Sequence, residues 1–255
     1  MAEAIVLIHG AFCTGRSLAG WKTLLEARGH VCVTPTLRHH AVGSEPDAGL
    51  ATTSVTDYAA DLETLIRAMA EPPVVIGHSL GGLLAQMLAA RSLVKAAVLL
   101  APATPWGVVP QTADQVAAAL GLARLGEFWT KSLFPVFEVA AANSLNMLNP
   151  GEQRRIFSQF TAESGRALFE TLFWPFDVTR ASDVNARDIP CRMLGLTGAE
   201  DRVSPPEGLG ALARKYQPLL ETRVLAGFGH WLIGEPGWEK IVDGVCDWID
   251  ATVGD

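Results

Sequence analysis

The sequence predicts a single α/β domain: a mostly parallel central sheet of about six strands flanked by helices, with one inserted helical cap. Three observations carry that expectation. Short aliphatic runs alternate with longer stretches of helical periodicity, the pattern of a sheet covered on both faces. The runs are almost continuously apolar, as strands with two buried faces must be. The alternation breaks once, from about Pro105 to Arg180, where the residues read as helices and no strand is expected.

Taken in order, strands are expected at Ala4 to Ile8, Val31 to Thr34, Val74 to Gly77, Ala96 to Leu100, Cys191 to Thr197 and Thr222 to Leu225. Helices are expected near Leu18 to Arg28, Thr56 to Ala70, Leu80 to Arg91, Glu207 to Tyr216 and Trp238 to Ala251. Thr56 with Asp57 starts the second of these, and Gly29 ends the first as a C-terminal cap. Residues 1–104 and 181–255 then form the core domain, and residues 105–180 the cap, with a helix start at Asn149-Pro150-Gly151-Glu152. The cap carries 11 of the chain's 19 aromatic residues in 76 of its 255 positions, well above its share. Trp106, Trp129, Phe134, Phe137, Trp174 and Phe176 therefore read either as the roof of an apolar pocket or as the core an added helical layer needs for itself.

Composition narrows the function classes. The chain is 49% hydrophobic and 18% charged, with 20 basic against 27 acidic residues and a net charge of −7. That balance, without any Lys/Arg-rich run, argues against a nucleic-acid partner and for a small neutral or apolar ligand. No apolar stretch reaches the roughly 18 residues of a membrane span, and no targeting signal precedes the first strand, so a cytoplasmic location is expected. Cys13, Cys32, Cys191 and Cys246 lack metal-ligand spacing and read as reduced, buried thiols, so no metal is expected. Cys13 stands beside a loop that enters the chemistry below.

Gly77-His78-Ser79-Leu80-Gly81 has the G-x-S-x-G form of a strained strand-to-helix turn, preceded by an apolar strand and followed by an apolar helix. Such a turn holds a nucleophile where neighbouring side chains would clash, and Gly77, Gly81 and Gly82 remove them. A serine hydroxyl needs a base. Of six histidines, His230 is the candidate, because Gly227-Phe228-Gly229-His230-Trp231 follows the last strand at the carboxyl edge of the sheet. His30, His39 and His40 read as exposed, and His78 as a packing or hydrogen-bonding residue. The acid that orients the base should follow a strand and precede His230. Glu200 and Asp201 both qualify, with Asp201 preferred. Oxyanion donors are expected from the backbone N–H of Leu80 and from Ala11 in His9-Gly10-Ala11-Phe12, with Phe12 the fallback. Phe12 and Trp231 join Trp106, Trp129, Phe134 and Trp174 as candidate substrate contacts.

Over essentially its whole length the chain resembles an α/β-hydrolase fold enzyme. His9-Gly10, Gly77-His78-Ser79-Leu80-Gly81-Gly82, and Gly198 to Pro205 with Gly229-His230 carry the resemblance. The opening residues, with Trp21 and Arg28-Gly29-His30-Val31, are also similar to the short branch of plant methyl-ester esterases and hydroxynitrile lyases. The resemblance implies an eight-stranded sheet, of which this chain, starting at the third strand, would hold about six. A serine at position 79 excludes the aspartate-dependent dehalogenases and epoxide hydrolases of the superfamily. The lyases pair a hydroxylated residue beside the oxyanion loop with a cap lysine; here position 11 is Ala and the cap has Lys131 alone. Hydrolysis of a carboxylic ester, thioester or lactone by Ser79, His230 and Asp201, without a cofactor, is the leading expectation. C–C bond hydrolysis or perhydrolysis with the same residues is the alternative, ahead of a hydroxynitrile lyase or a non-catalytic receptor.

Overall fold

The structure, a computed structural model, describes residues 2–41, 45–109 and 112–253. Its strands are β1 Ala4–Ile8, β2 Val31–Val33, β3 Val74–His78, β4 Ala96–Leu100, β5 Ser132–Leu133, β6 Glu163–Ser164, β7 Arg192–Gly198 and β8 Leu220–Leu225. Six of them form the central sheet in the order β2-β1-β3-β4-β7-β8, each pair parallel. The helices are α1 Ala19–Ala27, α2 Val55–Arg67, α3 Leu80–Ala90, α4 Ala113–Ala123, α5 Phe137–Ala142, α6 Pro150–Phe157, α7 Gly165–Leu172, α8 Pro206–Lys215 and α9 Glu239–Val253.

Strand side chains alternate between two cores, because successive residues of a strand face opposite ways. Val6, Ile8, Val75, Ala97 and Leu99 pack with Tyr58 and Leu62 of α2, Leu83 of α3 and Leu212 of α8. Ile5, Leu7, Val74, Ile76 and Val98 pack on the other face with Trp21 of α1 and Ile241, Val245 and Trp248 of α9. The four central strands meet the expectation of two buried faces. The edge strands do not: Val31, Val33 and Val224 are exposed, since an edge strand has a neighbour on one side alone.

Helix ends follow their sequence signals with one shift. Gly29 adopts φ 92° after α1; its N–H reaches the Glu26 carbonyl and that of His30 the Leu25 carbonyl, a Schellman close. Helix α2 starts at Ser54, earlier than Thr56, because Ser54 and Asp57 form a reciprocal capping box. Asn149 caps α6 through the N–H groups of Gly151 and Glu152.

Between β4 and β7 the chain runs through α4 to α7. The expectation of no strand in this segment is corrected by the antiparallel pair β5 and β6. Two-residue strands are too short to leave an alternating pattern in a sequence. The insertion is bolted to the core by buried carboxylates. Glu170 of α7 accepts from the Ser54 hydroxyl and the Val55 N–H at the start of α2. Glu163 of β6 reaches the loop after β1. Among the described residues, no helix is long and apolar enough to cross a membrane.

Gln86, buried in α3, fastens the helix behind the Ser79 turn. Its amide donates to the carbonyls of Gly82 and Ala103, and its oxygen accepts from the Tyr216 hydroxyl at 2.9 Å. Tyr216→Phe would leave that buried oxygen unpartnered, so chemical denaturation should show a loss of about 1–3 kcal/mol.

Candidate active site

Parallel strands put all their carboxyl ends on one edge of the sheet, and the candidate residues gather there. Register sets Ile8 beside Gly77 and His78 beside Leu100, so the loops after β1, β3 and β4 meet. Ser79 sits at the turn into α3 with φ 54° and ψ −115°, a conformation that L-residues rarely adopt. Close approach enforces it. A Cβ at Gly77 would stand 2.1 Å from the Gly81 carbonyl oxygen, and one at Gly81 2.2 Å from that of Ile8. The Ser79 N–H donates to Leu100, and its carbonyl accepts from Ala103.

His230 is 4% exposed and Asp201 4% exposed. The His230 Nδ1–H donates to the Asp201 carboxylate at 3.0 and 3.1 Å, leaving Nε2 to accept from the Ser79 hydroxyl at 3.1 Å. Asp201 also accepts from the N–H groups of Val203 and Ser204 and from the Thr197 hydroxyl. Burial alone would raise the Asp201 carboxyl; the His230 charge and hydrogen bond, with those N–H donors, outweigh it and hold the group below the ordinary carboxylate range. Glu200, the alternative acid, is exposed, and the partner of His230 is Asp201.

Among the described residues, nothing accepts the N–H of Ala11 or of Leu80. Phe12 is different: its N–H donates to Glu163, so the fallback donor is already engaged. Gly10 permits the loop to lie against the turn, since a Cβ there would come within 3.0 Å of the Ser79 Cβ. His9 fixes the loop from below. Its Nδ1–H donates to the Gly10 carbonyl at 2.8 Å while Nε2 accepts from the Leu37 N–H, and burial, with the His40 charge, lowers its pKa to about 4. His78 donates from Nε2 to the His230 carbonyl, and burial, with the charge of His230, lowers its pKa to about 3.

Two further groups carry no motif. Glu235 accepts from the N–H of Gly229 at 2.7 Å and of Trp231 at 3.0 Å, clamping the peptide on each side of His230. Burial raises its carboxyl against the pull of those donors. The available signal was an acid inside the apolar run Trp231 to Trp238. The second is the buried pair His40 and Glu163. The expectation that His30 and His40 are exposed is corrected: both are buried, His40 against Glu163 and His30 where its Nδ1 accepts the Glu3 N–H.

The aromatic candidates separate. Trp129 packs on Phe128 and Phe169 inside the insertion. Trp106 meets Trp174 edge to face at 5.0 Å, with the Arg180 guanidinium over its ring. Phe134 is 63% exposed. Trp231 stands edge-on to His78 and beside Phe160. It lines a cavity of about 410 Å³ with Cys13, Arg16, Arg155, Phe160 and Trp238, in which neither Ser79 nor His230 takes part. All four cysteines are free and buried, and burial raises the Cys13 thiol to about 12, so it holds no thiolate near neutral pH. Among the described residues, no cluster of His, Cys, Asp and Glu could hold a metal ion.

The depressed carboxyl of Asp201 contributes stability that is present above the ordinary value of 3.8 and lost as pH falls through the folded value. Denaturation midpoints taken from neutral to acid pH should therefore show the advantage of the parent over Asp201→Asn shrinking below about pH 4.

The chain matches the model of the alpha/beta hydrolase family over residues 5–242. No curated protein matches it. Among solved structures it is similar to a monoacylglycerol lipase from Paleococcus ferrophilus, at 22% identity and a TM-score of 0.73, covering 98% of this chain and 94% of that one. It is similar to a pyrethroid hydrolase from Sphingobium faniae JZ-2, at 22% identity and a TM-score of 0.71 over the full length of both. It is also similar to tomato methylketone synthase I, at 17% identity and a TM-score of 0.75 over 99% of each chain. A parallel six-stranded sheet, a serine at its strained turn and a family match spanning nearly the whole chain lead to one assignment: this protein belongs to the alpha/beta hydrolase family.

Proposed function

We propose that the protein is a serine hydrolase that cleaves the carboxylic ester, thioester or lactone of a small, largely apolar substrate through an acyl-enzyme. The observation that carries this reading is the unbroken hydrogen-bonded chain from Asp201 through His230 to the Ser79 hydroxyl, beside two N–H groups without partners.

Ser79 attacks the carbonyl carbon as its proton passes to His230 Nε2, and the buried Asp201 carboxylate stabilises the imidazolium. The developing oxyanion takes the N–H groups of Ala11 and Leu80; preorganised donors of this kind contribute about 3–4 kcal/mol each. His230 then protonates the leaving alcohol, and a water activated by His230 releases the acid. No step draws on a cofactor. A lipase and a hydrolase among the structural relatives agree with this chemistry, although one fold serves many reactions. The lyase reading gains no support, because Lys131 lies exposed with its ammonium on the Leu125 carbonyl.

Residues 105–180 act as the cap in this reading. Three contacts favour it: Asn146 donates to the Glu200 carbonyl, Arg202 to that of Ala142, and Phe160 packs on Trp231 beside the proposed base. Closing an apolar cap over the ester would exclude water and strengthen the hydrogen bonds beneath it. The segment Arg38 to Thr53 is the second proposed gate; its residues 42–44 lie outside the described residues. A small-molecule ester is the proposed partner, in the cytoplasm.

Initial rates on short, medium and aromatic p-nitrophenyl esters test the reading. Ser79→Ala should lower turnover by about 10⁴-fold or more, and Asp201→Asn by about 10²–10⁴-fold. Glu200→Gln should stay within about threefold of the parent, because its side chain takes no part in the relay. A Ser79→Ala protein that kept most of its activity would exclude the mechanism.

A further inference from the structure

We infer that Glu163 is a positioning residue for acyl transfer, aiming the oxyanion loop through the Phe12 N–H while His40 and Tyr58 hold its carboxylate in place. The inference rests on the serine-hydrolase reading above and adds a control built into the insertion.

Glu163 lies in β6, far from Ser79 in sequence, and is fully buried. Its carboxylate accepts four hydrogen bonds. Oε1 takes the Tyr58 hydroxyl at 2.8 Å and the Ser164 N–H at 2.7 Å; Oε2 takes His40 Nε2 at 3.1 Å and the Phe12 N–H at 3.3 Å. His40 Nδ1 stands 3.0 and 3.2 Å from the carbonyls of Arg38 and Leu37, so that nitrogen carries a proton. Nε2 faces a carboxylate and must carry one too, which makes the ring an imidazolium. Burial pulls the His40 pKa down, but the Glu163 charge and the carbonyls raise it above the ordinary value; the same pairing holds Glu163 below its own.

Burying two charges is expensive, and an apolar pair of similar volume would stabilise the fold as well or better. What the pair does that an apolar pair would not is accept a backbone N–H at a fixed point. Phe12 has φ 62°, and both its polar backbone groups are held by the insertion: its N–H by Glu163 and its carbonyl by the Thr161 N–H at 2.8 Å. One peptide earlier, His9 holds the Gly10 carbonyl. In a trans peptide the N–H points opposite to the C=O, so that contact directs the Ala11 N–H the other way. Two consecutive peptide planes are thus clamped, one by His9 and one by Glu163. The proposed oxyanion donor belongs to the first of these planes, and the second, joined to it at the Ala11 Cα, fixes it from the other side.

The test compares the parent, Glu163→Gln and Tyr58→Phe on a p-nitrophenyl ester, with thermal unfolding as the check on folding. Phenylboronic acid, which forms a tetrahedral anion on an active-site serine, is the second probe. Glu163→Gln should lower kcat by about 10- to 100-fold with KM within about threefold, and weaken boronate binding in parallel. Tyr58→Phe, which removes one of four donors, should show the same split at about three- to tenfold. A purely structural role would lower the unfolding temperature without that split. A folded Glu163→Gln protein with kcat and boronate affinity within about twofold of the parent overturns the inference. If Glu163→Gln does not fold, Tyr58→Phe decides alone, and an unchanged kcat overturns it. A parent that hydrolyses no ester but binds the boronate removes the hydrolase reading, and the variants' boronate affinities then decide the role of Glu163. A parent that does neither overturns both.

Discussion

The backbone at Ser79 is held where an L-residue costs about 1–3 kcal/mol, and most of the site's geometry follows from what keeps it there. Two carbonyl oxygens, those of Gly81 and Ile8, leave no room for a side chain at Gly77 or Gly81. Strand β4 and the loop after it supply the counterweight: the Leu100 carbonyl accepts the Ser79 N–H, and the Ala103 N–H donates to the Ser79 carbonyl. The strained residue is therefore fixed by three strands at once. Gln86 extends the same hold into α3 and, through Tyr216, to the end of α8 in the same core.

Around that point the loops are fixed by buried carboxylates accepting backbone N–H groups. Asp201 takes two in its own loop before it meets His230, Glu235 takes the two that flank His230, and Glu163 takes the one after Ala11. Each is a charged acceptor for a neutral donor, a stronger hydrogen bond than one between neutral groups. Three loops are thereby tied to fixed points within the protein. Their protonation states differ with their partners: His230 keeps Asp201 low and His40 keeps Glu163 low, while burial raises Glu235.

How much of this was legible depended on whether the cause was local. The Ser79 turn could be read because Gly77 answers to a clash within five residues, with Gly81, and the flanking strand and helix are apolar. His230 and Asp201 could be read because loops after parallel strands share one edge, which makes chain order informative. Glu163 gave no signal: its partners Phe12, His40 and Tyr58 are more than a hundred residues away. His40 read as exposed because it lies near the second strand, and in the fold it is buried against that distant carboxylate. The start of α2 moved to Ser54 because the cap itself, a serine outside the apolar pattern, decides where a helix begins. The exposure of Val31 and Val33 reflects sheet order, and composition does not carry sheet order.

The division of polar groups between core and insertion has a consequence for how this fold varies. Ser79 and Leu80 are held within the core, whereas the loops of Asp201 and His230 also touch the insertion, through Asn146 on the Glu200 carbonyl, Arg202 on the Ala142 carbonyl and Phe160 on Trp231. The loop after β1 depends on the insertion more directly. Its Gly10 carbonyl is held by His9, within the core, but Phe12 at φ 62° depends on Thr161 and Glu163, which belong to the insertion. The proposed cap is thereby joined to one of the groups that would stabilise the charge of the proposed reaction. The peptide that Glu163 holds adjoins the one that carries the Ala11 N–H, so in the proposed mechanism a displacement of the insertion would reach that donor through the Ala11 Cα.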